Sequence, residues 1–318
     1  MKFKTPKFWY KPHSPVNLLL YPISLIYLLI KKINSIFIFK KKLPITSICV
    51  GNAVMGGAGK TPTVSAIALL LKMHGHNPHI ISRGYGGNIV SKNPIKVSEK
   101  HNAFEVGEEA LILRKYCPVW VGSDRIRSSQ QAKNNGASIV ISDDGLQNNA
   151  YIFDLNILVV DELQKFGNGR IFPCGPLRES IKSILKKIDA YVCQSEIEIM
   201  NSIPFIKINP KYQLPKINSK KIIAFSGIGY PEKFLKSLIS IGYSVKKFYE
   251  FPDHHKYKEN EIKKIIKESI KNDMPVITTE KDFVKIPLHL KKNINVLGLS
   301  FEISEYEILS LLKKNKIL

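Results

Sequence analysis

Apolar residues in this chain fall into two kinds of run. The first is Pro15 to Ile30, PVNLLLYPISLIYLLI, bounded by Lys31-Lys32 and followed by an apolar INSIFIF and Lys40-Lys41-Lys42. The uninterrupted stretch is about 15 residues, short of the roughly 20 that cross a bilayer upright, and Pro22 would kink or tilt a helix. No small-residue cleavage site follows it, so a signal peptide fits poorly. A short membrane anchor, an interfacial helix and a buried core helix all remain open. Tyr21 and Tyr27 with lysines behind them suit a membrane interface.

After Lys42 the runs become short and β-branched and alternate with helical stretches. Strands are expected over 45–50, 79–82, 119–122, 138–142, 157–160 and 190–193, with helices over 60–74 and 124–135. Continuous apolar strands separated by helices predict a parallel sheet covered on both faces. Around 195–220 the pattern weakens into Pro- and Lys-rich sequence. A second unit follows, with strands over 222–225, 244–248, 276–278 and 295–299, helices near 232–241 and 260–271, and a last helix from Ser304. The expected architecture is α/β, two α/β/α lobes behind an amino-terminal membrane-associated helix. Its segments are 1–42, a P-loop lobe over 43–200, a linker over 201–220 and a second lobe over 221–318.

Between the strand ending at Val50 and the helix from Lys60 lies GNAVMGGAGKT, Gly51 to Thr61. A glycine-rich turn in that context cradles phosphates with inward N–H groups and the positive end of the helix. Gly56, Gly57, Ala58 and Gly59 form the cradle. Lys60 reaches the β- and γ-phosphates of ATP, and the Thr61 hydroxyl serves Mg²⁺. The strict spacing calls for glycine at 54, where this chain has Val54. SIVISDDGLQ then delivers Asp143 and Asp144 to the carboxyl end of a strand, where open α/β sheets place ligands. Paired aspartates there also cap turns. Together with the phosphate loop they read as the Mg²⁺-binding acidic element. Arg83, Arg125 and, more weakly, Arg178 are candidate phosphate ligands, because guanidinium groups bind phosphate oxygens bidentately.

Charge sharpens the choice of partner. With 48 Lys+Arg against 26 Asp+Glu the net charge is +22, which favours polyanions: nucleic acid, anionic lipid or phosphorylated substrate. The abundance of Lys, Ile and Asn is also what AT-rich coding produces. Four scattered cysteines, without a C-x-x-C pair, argue against structural zinc and against a secreted disulfide framework.

Further strings narrow the family: SRGYG at Ser82–Gly86, VGEEA at Val106–Ala110, VWVGSDR at Val119–Arg125 and DDGLQ at Asp143–Gln147. NGRIFPCGPLRE at Asn168–Glu179, FPDHH at Phe251–His255 and TEKD at Thr279–Asp282 complete the series. In this order behind a short apolar segment, they resemble the tetraacyldisaccharide 4'-kinase family from the amino terminus to about residue 285. The resemblance implies ATP- and Mg²⁺-dependent phosphorylation of an acylated disaccharide 1-phosphate, the lipid A precursor, at the cytoplasmic face of the bacterial inner membrane. It also implies a site between two lobes. A monomer with no nucleic-acid partner is expected.

In the family the proton acceptor is understood to be an aspartate in a G-D-E string coupled to a histidine of the second lobe. Here Glu108 occupies that position, and of His254 and His255 the first, directly after Asp253, matches the histidine. Glu108, His254, Lys60 and Asp144 are therefore the expected catalytic residues, and Thr61, Asp143, Asp144 and Glu109 the expected Mg²⁺ ligands. Glutamates at this place would also simply favour the positive end of a helix. The rival functions are a P-loop kinase of a soluble phosphorylated metabolite and a nucleotide-gated nucleic-acid-binding protein. The second leaves residues 15–30 without a purpose.

Overall fold

The computed structural model describes residues 5–11, 13–36, 38–89 and 93–318. The remaining residues of the amino-terminal segment, and 90–92, lie outside the described residues. Helix α1 (Pro15–Ile36) continues through Pro22 and outlasts the apolar run, since Lys31 and Lys32 stay helical. Its 22 residues span about 33 Å at 1.5 Å per residue.

Twelve strands form one continuous sheet among the described residues. In chain order they are β1 (Ser47–Asn52), β2 (Pro78–Ser82), β3 (Ile95–Lys96), β4 (Val119–Val121), β5 (Ile139–Asp143) and β6 (Leu155–Val159). They continue with β7 (Ala190–Cys193), β8 (Phe205–Gln213), β9 (Lys221–Ser226), β10 (Ser244–Glu250), β11 (Val276–Thr279) and β12 (Ile294–Ile303). The spatial order is β10-β9-β11-β12-β8-β7-β6-β1-β5-β2-β4-β3. Strands β1, β5 and β7 are buried throughout, which is why they read as unbroken apolar runs.

Residues 205–213, within the stretch expected to be a linker, instead form β8. It pairs parallel with β7 and antiparallel with β12. The alternation of Ile206 and Ile208 inward with Lys207 and Asn209 outward is the strand signal that the surrounding Pro and Lys residues obscured. Strand β12 joins the two units. Its residues 294–297 pair with β11, and 298–303 with β8. The last helix, α8 (Glu305–Lys314), buries Ile308, Leu311 and Leu312 in the core of the first lobe with Ile206 and Phe301, rather than completing the second.

The first lobe carries α2 (Lys60–Met73), α3 (Glu108–Leu113) and α4 (Arg125–Asn134); the second carries α5 (Pro231–Ser240), α6 (Glu259–Asn272) and the short α7 (Glu280–Phe283). Each lobe has an apolar cluster on both faces of its part of the sheet, as an α/β/α sandwich requires. Strand β1 lies between β5 and β6, so the loops after β1 and β5 emerge side by side.

Candidate active site

The turn after β1 is built to hold its shape. Asn52 Nδ2 donates to the carbonyls of Val54 (2.7 Å) and Gly56 (3.3 Å), tying the loop from inside. Left-handed backbone falls on Gly56 (φ 115°) and Gly59 (φ 90°), which only glycine adopts without strain. Val54 needs no such freedom. It is 2% exposed, packs in the core and forms a bridge with Leu177, while Met55 N donates to Pro176 O at 2.8 Å. The departure from the strict motif is thus an anchor for the first half of the loop.

Lys60 opens α2 and is nearly buried. Its ammonium lies 3.2 Å from Asn52 Oδ1 and 3.5 Å from Asp144 Oδ2. Arg178 Nη1 donates to both oxygens of Asp144 (3.2 and 3.0 Å) and to Gln147 Oε1 (3.1 Å), and Gln147 Nε2 returns to Asn52 O at 2.8 Å. These contacts close a ring around the acidic pair. Asp144 holds a left-handed backbone (φ 57°), costing roughly 1–3 kcal/mol for a non-glycine residue. Arg125, expected to bind phosphate, is 1% exposed. It commits Nη2 to the carbonyls of Asp143 (3.2 Å) and Asp144 (2.5 Å), propping that strained turn. Arg83 is exposed on the wall of the cavity described below.

Burial and the neighbouring Glu109 carboxylate push Asp143 up to about 7, partly offset by Lys60. Asp144 feels burial as well, but Lys60 and Arg178 hold it below the usual carboxylate range. Among the buried side-chain oxygens here, Thr61 Oγ1 and Asp143 Oδ1 have no hydrogen-bond partner in the protein. An unpaired hydroxyl and an unpaired carboxylate oxygen on the wall of one cavity are hard oxygen donors of the kind a magnesium ion takes, so the residues fit that cation. Among the described residues no three His, Cys, Asp or Glu side chains converge at metal-ligand spacing. Phosphate oxygens and water would therefore complete the shell.

The second half of the site is shared: the first lobe supplies the turn at Arg83–Tyr85 and the start of α3, and the second lobe supplies His254, Lys281 and Lys285. Gly84 and Gly107, both at positive φ, let the Arg83–Tyr85 turn lie against the start of α3; a Cβ on Gly107 would sit 2.6 Å from Tyr85 O. Glu108 at the first turn of α3 directs Oε1 to His254 Nδ1 (3.0 Å) and Oε2 to Lys285 Nζ (3.2 Å). Its longer side chain therefore still reaches the histidine. Burial opposes its ionisation, but the His254 hydrogen bond and Lys285 outweigh it and lower its pKa. For His254 burial acts the other way, yet Glu108 and then Asp253 raise it above the ordinary imidazole value. Glu109 pairs with Lys281 of α7 at 2.5 Å, which overcomes burial and brings Glu109 to about 2.

These elements surround one cavity of about 980 Å³. Gly56 to Thr61, Arg83, Glu109, Arg125, Asp143, Asp144, Arg178 and His254 all lie on its wall, so the structure gathers nearly every expected residue. The exception is Glu108, which stands behind His254 with both oxygens engaged. The turn bearing Gly229 seals one side: a Cβ there would be 3.1 Å from Gly56 Cα. Tyr27, Ile30 and Lys31 of α1 also line the cavity. Sequence reasoning assigned no role to Lys281 and Lys285. Lys281 lies in α7 and pairs with Glu109, while Lys285, in the turn just after that helix, pairs with Glu108.

Helix α1 docks by one stripe. Ser24 Oγ donates to Ile171 O (3.1 Å), while Tyr27 Oη (3.3 Å) and Lys31 Nζ (3.1 Å) both donate to the carbonyl of Arg178. Cys174 Sγ meets Asn17 O at 3.1 Å. The NGRIFPCGPLRE string is thus the seat of α1 as well as the source of Arg178. The rest of the helix is apolar and exposed, Leu18 at 80% and Leu19 at 78%.

A family model described as tetraacyldisaccharide-1-P 4'-kinase matches residues 16–316. A tetraacyldisaccharide 4'-kinase from Paramagnetospirillum magneticum is 36% identical over 310 residues, 94% of each chain. One from Bradyrhizobium diazoefficiens is 35% identical over 297 residues, 89% of this chain and 87% of its own. The solved structure of LpxK from Aquifex aeolicus in complex with ATP aligns with a TM-score of 0.75 at 29% identity, covering 94% of this chain and 99% of its own. With the family model spanning almost the whole chain and relatives above 30% identity, this chain belongs to the tetraacyldisaccharide 4'-kinase family.

Proposed function

We propose that the chain transfers the γ-phosphate of ATP to the 4'-hydroxyl of a tetraacyldisaccharide 1-phosphate in lipid A biosynthesis. The observation that carries this reading is the single cavity running from Lys60 and the Asp143–Asp144 pair to the apolar helix α1. A phosphate cradle at one end and a bilayer-facing helix at the other suit an acceptor whose sugar is polar and whose tails stay in lipid.

The proton acceptor in this reading is His254 rather than Glu108. Glu108 holds Nδ1 and keeps that nitrogen protonated, which leaves Nε2, on the opposite side of the ring, to take the hydroxyl proton. As the O–H bond breaks to His254, the alkoxide oxygen forms the new O–P bond and the bond from the γ-phosphorus to the β–γ bridging oxygen breaks, releasing ADP. Lys60 and Arg178 neutralise charge on the phosphates. Thr61 and Asp143 would hold Mg²⁺, with Asp144 and Glu109 beside them; when bound, the ion offsets phosphate charge. Arg83 is the exposed phosphate ligand, and Arg125 supports the carboxylate turn.

Contacts from Asn17 to Lys31 run alongside the protein body, which favours α1 lying in the membrane surface over crossing it. Lys32, Lys40 and Lys41 would meet anionic lipid head groups, each worth about 1 kcal/mol near such a surface. ATP use supports a site on the cytoplasmic face. Both lobes of the site come from one chain, so a monomer suffices. The test is purified protein with γ-labelled ATP and tetraacyldisaccharide 1-phosphate in detergent micelles. A 4'-phosphorylated product is expected; no product, with turnover on a soluble acceptor, refutes the lipid reading.

A further inference from the structure

The densest charge cluster outside the phosphate cradle lies behind His254, in the second lobe. Lys285 is 6% exposed, an unusual place for an ammonium group, and it does not line the cavity. It lies 3.2 Å from Glu108 Oε2 and 3.0 Å from Asp282 Oδ1, with its Nζ 5.4 Å from the centre of the Tyr257 ring. Asp282 is fully buried and is itself fixed. It accepts from Gly227 N (3.1 Å), Tyr257 Oη (2.8 Å) and Thr279 Oγ1 (2.7 Å). A lysine buried between two carboxylates from different lobes is expensive to build for packing alone, since an apolar residue of that size serves as well there.

We propose that Lys285, held by Asp282, is a positioning residue for the Glu108–His254 pair: it fixes one oxygen of Glu108 so that the other aligns His254 for proton transfer. This rests on the kinase reading with His254 as proton acceptor. The arrangement has an electrostatic consequence. With one partner, a buried glutamate would bind the imidazolium tightly and leave the base protonated. Lys285 shares that negative charge and frees His254 to accept a proton near neutral pH. The other groups facing His254 are Asp253 on its own loop, Lys281 from α7 and the Tyr85 ring, edge-on with centroids 5.0 Å apart.

The charge on Lys285 disfavours the imidazolium, so removing it must raise the His254 pKa and move the acid limb of kcat/KM to higher pH. In Lys285→Met that shift should be about one pH unit, the size a nearby opposite charge exerts on a carboxylate. The KM for ATP should stay as it is. Lys285→Arg, which keeps the charge, should leave the limb in place. Asp282→Asn gives the opposite sign, because Lys285 then acts on Glu108 undivided and the His254 pKa falls. NMR titration of His254 in the free enzyme reads the same shifts without any turnover, so it stands even if the acceptor has been misidentified. Opposite shifts in Lys285→Met and Asp282→Asn support the proposal. Unchanged His254 titration with only a lower melting temperature overturns it. Should Lys285→Met not fold, Asp282→Asn decides alone: a downward shift supports, no shift overturns.

Discussion

The exposed face of α1 permits a test that separates membrane binding from folding. Leu18 and Leu19 stand 80% and 78% exposed, so the fold gains almost nothing from them. In a bilayer interface each would bury nearly a whole side chain, worth roughly 2 kcal/mol at the usual transfer values. Replacing both with serine should therefore cost about 3 kcal/mol of membrane binding once partial insertion is allowed for. That corresponds to about a hundredfold loss in partition coefficient. Sedimentation with anionic vesicles measures the coefficient directly, and thermal unfolding in detergent-free buffer measures the fold. The expected outcome is a hundredfold weaker partition with an unchanged melting temperature. Unchanged partition would refute the membrane role of this face, and a lower melting temperature would mean that the two leucines pack against the protein.

Lys60→Ala removes the cation beside Asp144 and should lower kcat at least 10²- to 10³-fold, the usual loss for a charge-stabilising donor, with circular dichroism unchanged. Glu108→Asp withdraws the carboxylate by about one C–C bond, ~1.5 Å, from contacts of 3.0 and 3.2 Å; kcat should fall about 10- to 100-fold with the KM for ATP kept. Full activity in that variant would mean the pair does not set the geometry. Val54→Gly restores the strict loop motif yet deletes a core side chain. Stability should drop roughly 2–4 kcal/mol in urea titration without any gain in turnover. Burial pushes Cys49 and Cys117 up to about 12, so native protein should resist thiol reagents at pH 8 and react only once unfolded.

Much of the fold was legible because its strands obey a simple rule. Strands buried on both faces read as unbroken β-branched runs, and the strand ending at Val50 and the strand before Asp143 could be placed from that alone. Strand β8 escaped because it alternates, with Lys207, Asn209 and Lys211 outward, amid proline and lysine that also mark linkers. Helix α8 was assigned to the wrong lobe because its apolar stripe says that it docks, not where. The phosphate cradle was legible since its chemistry is local in sequence. The proton-transfer apparatus was only half legible. Glu108 and His254 belong to strings that name them, but which of the two faces the cavity depends on a lysine 177 positions away from Glu108, and no local pattern encodes that distance.

The seating of α1 bears on the membrane role proposed for it. Exposing an acyl chain to water costs about 0.8 kcal/mol per methylene, so a chain of a dozen carbons would resist extraction by about 10 kcal/mol. An enzyme acting on such a lipid avoids that cost by bringing its site to the lipid surface. Tyr27 and Lys31 of α1 both donate to the carbonyl of Arg178, and the Arg178 guanidinium grips Asp144. Helix α1 therefore holds the backbone of a residue two contacts from Lys60. Were α1 merely a tether, a flexible linker would serve, and the polar stripe of Asn17, Ser24, Tyr27 and Lys31 would have no reason to bury itself against residues 168–178. The stripe makes α1 a wall of the site, and under the proposed membrane role it would tie the depth of the cavity beneath the lipid surface to the position of the phosphate cradle.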